Sequence, residues 1–158
     1  RSSMTGIHGA DFYKDVAIAL VRLYGSFPRR VNLCVEDIAG PDEPDEFGLH
    51  SKRHMACFGA LLWLQEEGLL RYVDTIRQEA LDQAVLSHAA FVRLSAPAPA
   101  SLNELVAPSS QPTEGKLPAS IQQDLSTYIH LIRTALKSGH SGRISQIVQA
   151  QFVANLND

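Results

Sequence analysis

Cysteine is scarce in this chain: Cys34 and Cys57 are the only two in 158 residues, too few for a disulfide framework. Long apolar runs are missing as well. No stretch approaches the roughly 18 residues of a membrane span, and no secretory apolar segment is present, so the expected compartment is the cytoplasm and no membrane partner is expected. Charge of one sign is absent too, with 14 Lys plus Arg against 17 Asp plus Glu and a net charge of −3. That excludes the global basic signature of many nucleic-acid binders, so any such binding must come from a local patch. There is no Gly-rich phosphate loop, no G-x-S-x-G elbow and no H-E-x-x-H pair, and no two carboxylates sit where their pKa values would be pushed apart. The chain is not expected to be an enzyme or to carry a cofactor.

What is present is an ordinary globular composition, 45% apolar, 20% charged and 7% aromatic, with enough length for one sizeable core. Arg1-Ser2-Ser3 reads as a vector remnant ahead of an initiator Met4. A Pro/Ser/Ala-rich run from Ser95 to Gly115 cannot build a core of its own. It divides the chain into a domain over 4–95, a linker over 96–116 and a C-terminal segment over 117–158. Within the linker, Leu102 to Val106 is an apolar island able to dock back on a domain. Residues 1–95 hold ten basic and thirteen acidic side chains, and 96–158 four of each, so neither part is basic.

Helical periodicity at Phe12, Val16, Ile18, Ala19, Leu20 and Leu23 predicts a helix over 11–24, with Asp11 as N-cap and Gly25 as stop. Residues 29–35 predict a short strand, 36–39 a short helix closed by Gly40-Pro41, and 41–48 an acidic loop with two prolines. Ser51 is the expected N-cap of a helix from Lys52 to about Glu67, ended by Gly68. Beyond it, 70–76 and 80–86 predict a two-stranded hairpin around Arg77-Gln78-Glu79, with one continuous helix over 78–94 as the alternative. A final short helix, capped by Ser87, runs to Leu94.

This order of elements resembles the winged helix-turn-helix family over residues 11–94. Leu61-Leu62-Trp63-Leu64-Gln65-Glu66-Glu67-Gly68-Leu69-Leu70-Arg71-Tyr72 looks like the third helix of such domains passing through its C-cap glycine into the wing. Ala84-Val85-Leu86-Ser87 is similar to the return strand handing over to a final helix. Many relatives carry Lys-Gly soon after that Ser or Thr, whereas this chain has His88-Ala89-Ala90. The resemblance implies a mainly α fold with a small β-hairpin wing and a C-terminal helical hairpin appended. It also implies a site. Residues at the start of the third helix would enter the major groove of duplex DNA while the wing and nearby loops touch phosphates. Carried over, these are Ser51, Lys52, Arg53, His54 and Ala56, with Arg71 and Arg77 on the wing and Arg29 and Arg30 before the second helix. The expected function is a DNA-binding regulator or accessory factor.

Six acidic groups stand immediately before that helix: Glu36, Asp37, Asp42, Glu43, Asp45 and Glu46. They would repel phosphates, so the alternative is an adapter that recognises a protein partner and has no DNA affinity. His50, His54 and Cys57 follow one another at four and three residues and could share a metal, but the spacing matches no zinc ribbon or finger, and no metal is expected. Trp63 stands off the main apolar stripe, to be covered by the first helix or by the C-terminal segment.

The C-terminal segment carries an apolar stripe at Ile121, Leu125, Tyr128, Ile129, Ile132 and Leu136. After a break at Gly139 to Gly142, a second follows at Ile144, Ile147, Val148, Phe152 and Leu156. Two amphipathic helices joined by a turn cannot bury both stripes alone. They need either the N-terminal domain of the same chain or a second protomer. The expectation is a homodimer through Ile129, Ile132, Leu136, Ile147 and Phe152, placing two recognition helices on a symmetric DNA site.

Overall fold

The computed structural model describes the backbone of residues 2–102 and 126–157, and the side chains of residues 9–102 and 126–151. The fold is mainly helical with a small antiparallel sheet. No helix among the described residues is long and apolar enough to cross a membrane.

Helix α1 spans Ser2–Ser26, longer than the sequence suggests. Asp11 is therefore not an N-cap but an exposed residue inside the helix, and Gly25 lies in the last turn rather than after it. Helical structure runs through Gly6 and Gly9, where propensity alone is poor. Pro28 ends it, because the residue before a proline is steered out of the helical region.

Strand β1 (Val31–Cys34) leads directly into α2 (Val35–Ala39), which stops at Gly40 with φ +93°. The loop after it is tightly folded. Asp45 Oδ1 accepts the amides of Phe47 and Leu49, both at 2.9 Å, and the Asp45 amide donates to the Leu49 carbonyl at 3.0 Å. Helix α3 (Lys52–Glu66) starts where expected, with Ser51 Oγ accepting the His54 amide at 3.1 Å. It ends through Gly68 (φ +78°), after which the Leu69 amide returns to the Leu64 carbonyl at 2.9 Å. That is the left-handed glycine stop expected of the sequence.

The hairpin expected over 70–86 is present, and the alternative single helix is not. Strands β2 (Leu70–Arg71) and β3 (Asp74–Ile76) both pair with β4 (Ala80–Leu86), whose other edge pairs with β1. The register sets Leu70 opposite Leu86, Ile76 opposite Ala80, Val31 opposite Ala84 and Cys34 opposite Ala80. Gln83, with φ +54°, lies where the β1–β4 register shifts, as expected of a bulge. Helix α4 (His88–Ser95) is capped by Ser87, whose Oγ accepts the Ala90 amide at 3.1 Å.

Helices α5 (Tyr128–Ser138) and α6 (Ser141–Asn157) form the expected hairpin about Gly139. Its placement covers within the chain the residues expected at a dimer interface. Ile129, Ile132 and Ile147 are buried at 4%, 1% and 0% exposure within the chain itself, and Leu136 packs against the same core. The side chain of Phe152 lies outside the described residues. The physical reason is legible in α1, which buries Val16, Ala17, Ala19, Leu20 and Leu23 and half-buries Ile18 and Val21. A helix apolar around so much of its circumference must be covered on more than one side. Helix α3, β4, α5 and α6 all pack against it.

The first part of the linker is also docked. The Ala98 amide donates to the Ser126 carbonyl at 2.8 Å, the Tyr128 amide donates to the Ala96 carbonyl at 3.0 Å, and Leu102 joins the core. Residues 103–125, which include the rest of the linker, Ile121 and Leu125, lie outside the described residues. Trp63 meets Phe12 of α1 edge to face, with ring centroids 5.0 Å apart.

Candidate functional site

The start of α3 lies against two other segments, the folded loop over 41–50 and the turn between β3 and β4. Ser51 is consumed as a cap, and its backbone amide donates to Asp42 Oδ1 at 3.2 Å. Arg53 turns back toward α1, where it donates to both carboxylate oxygens of Asp15 at 2.7 and 2.5 Å. Asp15 is 1% exposed, so this guanidinium neutralises a buried charge and is held in the protonated state by its partner. His54 is 2% exposed, and its Nε2 lies 2.8 Å from the Gln78 carbonyl. Of the positions expected to face DNA from this helix, Ser51, Lys52, Arg53, His54 and Ala56, only Lys52 and Ala56 are exposed, and Lys52 alone of these two carries hydrogen-bonding groups on its side chain. The exposed residues of the first half of α3 are Lys52, Ala56 and Gly59.

The remaining cations fall into two groups. Arg29 and Arg30 are exposed just before β1, with Arg30 donating to the Gln83 carbonyl at 3.3 Å, and Arg71 stands opposite Val85. Arg77 lies in the β3–β4 turn at φ +49°, at the other end of β4 and near the first turn of α3. At about 3.3 Å per residue, the two ends are separated by roughly 15–20 Å of strand. Sequence reasoning expects one basic face, whereas the register of β4 makes two small ones.

What does converge is a group of three side chains. His50 Nδ1 lies 2.6 Å from Asp42 Oδ2, and His54 Nδ1 lies 3.7 Å from the same oxygen. The two imidazoles stack with centroids 4.0 Å apart and planes 11° from parallel. Hydrogen bonds from Ser51 and then His50 hold the Asp42 carboxyl well below the ordinary carboxylate range, against the opposing effect of its own desolvation. Beyond His50, its Nε2 faces Glu79 Oε2 at 3.6 Å.

Sequence reasoning joins His50 and His54 to Cys57, and the structure replaces that third member. Cys57 is buried, and desolvation first, then the neighbouring Asp15, pushes its thiol up to about 12. Asp42 takes its place because the Asp45-centred turn brings the loop back onto Ser51. The only sequence signal was an Asp eight residues before His50, hidden inside what reads as a solvated acidic loop.

No family model, curated protein or solved structure matches this chain.

Proposed function

We propose that residues 11–94 form a winged helix-turn-helix module that works as a protein-interaction adapter. The family reading is supported by the element order α1-β1-α2-α3-β2-β3-β4 and by a sheet in which β4 lies between β1 and β2. The adapter reading is carried by the exposed face of α3. A helix that reads a major groove needs hydrogen-bonding side chains along that face, and here Lys52 is followed by Ala56 and Gly59. Small residues let another backbone approach closely, and nothing lies within 4 Å of a Cβ placed on Gly59. Beside this face, the loop over 41–50 exposes Phe47 at 78% and Leu49 at 64% among its acidic groups. Large apolar side chains held outward by a hydrogen-bonded turn suit a protein partner and are hard to reconcile with a phosphate backbone.

Duplex DNA remains the second reading, favoured by Arg29, Arg30 and Arg71 at one end of the sheet. One titration separates the two. Labelled mixed-sequence duplex is titrated at low and physiological salt with the wild-type chain and with the Arg29→Ala/Arg30→Ala and Lys52→Ala variants. Absence of binding at low salt supports the adapter. Binding that falls steeply with salt and weakens in those variants establishes the DNA reading instead. Crosslinking with mass spectrometry then compares the wild type with Ala56→Arg, and a partner lost only in the variant maps the docking face to α3.

A further inference from the structure

We propose that Asp42, His50 and His54 form a binding site for a divalent transition-metal ion of the Zn2+ class. His54 is the key ligand. Its Nε2 faces a backbone carbonyl, that of Gln78 at 2.8 Å, and a carbonyl can only accept, so Nε2 carries the proton. In the neutral imidazole Nδ1 is then a lone pair. It is buried with no hydrogen-bond partner among the described residues, and it faces the Asp42 carboxylate, another acceptor, at 3.7 Å. Two acceptors turned toward each other in a dry site are unfavourable unless a positive charge lies between them.

The donor set suits a metal ion, and the partly exposed His50 ring turns out of its stack on His54 so that both in-plane lone pairs reach it. Two imidazoles and one carboxylate suit Zn2+ and its neighbours in the first transition row. One ligand atom from each residue lies within 4.8 Å of the others. A tetrahedral ion with ~2.0–2.1 Å bonds holds its ligand atoms about 3.3 Å apart, between the 2.6 and 3.7 Å separations observed around Asp42 Oδ2. Each imidazole also has an outer acceptor in place. His54 has the Gln78 carbonyl, and His50 has Glu79 Oε2 at 3.6 Å from Nε2. Ring nitrogens of metal-ligating histidines characteristically donate to such groups. On binding, the Nδ1 proton of His50 moves to Nε2, where Glu79 receives its hydrogen bond, and the ion replaces it at Nδ1. Bound there, the ion joins the loop over 41–50 to α3 and, through Gln78, to the β3–β4 turn.

The test uses the full chain, untagged and stripped of metal with a chelator. Co2+ is titrated while visible absorption is followed, Zn2+ is then added as competitor, and thermal unfolding is recorded with and without Zn2+. The expected result is one equivalent of Co2+ in a non-octahedral visible band, displacement by Zn2+, and a Zn2+-dependent rise in Tm. His50→Ala, at a partly exposed side chain, and Asp42→Asn, which keeps the shape of a buried one, should weaken binding about 100-fold or more, beyond the ~10–100-fold typical of an outer partner. His140→Ala, on an exposed helix connection, should leave it unchanged. The proposal is overturned by absence of stoichiometric binding, or by equal affinity in the wild type and both ligand variants. Circular dichroism of those variants shows that they are folded, and His54→Gln serves as a third test only if it folds.

Discussion

Arg53 on α3 grips both oxygens of Asp15 on α1, so a side chain that reads from sequence as a DNA contact is a structural tie between two core helices. Asp15 is 1% exposed and Arg53 is 35% exposed on its side chain. Removing the Arg leaves a buried carboxylate without compensation. Fully buried pairs lose ~3–5 kcal/mol when broken this way. The half-open position of Arg53 lowers the expectation for Arg53→Ala to about 2 kcal/mol. Urea unfolding should show this, and Asp15→Ala combined with Arg53→Ala should recover part of the loss. An unchanged midpoint in Arg53→Ala would refute the tie.

Gly59 sits in the interior of α3, exposed and with open space around its Cα. Gly59→Ala should raise stability by about 0.5–1 kcal/mol, because alanine costs less to hold in a helix. If the exposed α3 face docks a partner, the same variant leaves the fold firmer yet weakens the complex. Thermal unfolding and a binding assay run side by side separate the two effects.

The apolar stripes of α5 and α6 are used within the chain. Ile132→Ala should therefore cost about 2–5 kcal/mol, as for other large-to-small changes in a packed core. It should lower the midpoint of a single unfolding transition with no change in sedimenting mass. A variant of unaltered stability but halved mass would restore the dimer interface that the sequence suggests.

Burial raises the Cys57 thiol from its ordinary 9.0 to about 12. The unfolded chain thus loses this proton first as pH rises. The contribution to stability is complete below about pH 9 and is lost between about 9 and 12. Desolvation also raises the Cys34 thiol. At neutral pH an alkylating reagent should leave Cys57 unmodified in the native protein and label both cysteines after denaturation. Rapid native labelling of Cys57 would contradict its placement.

Local structure was largely legible because its causes are local. Ser51 and Ser87 cap the helices that follow them, Gly68 ends α3, and the β-branched run after it forms strands, each decided by a few neighbouring residues. The start of α1 was not legible, since Gly6 and Gly9 argue against a helix there. The candidate site was legible in part. His50 and His54 stood out by spacing, but Asp42 enters only when the loop folds back, and Arg53 leaves the surface only when α1 lies beside α3.

By itself the sequence determined the caps at Ser51 and Ser87, the stop at Gly68, and that two C-terminal amphipathic helices need an apolar surface to cover. Periodicity and capping are properties of chain neighbours, so a linear reading reaches them. The tertiary structure alone decided that α1 supplies that surface, that Arg53 pairs with Asp15, and that Nδ1 of His54 faces Asp42. Those outcomes depend on distances between residues 12 or more positions apart and on which polar groups lose their water, and no periodicity along the chain encodes either.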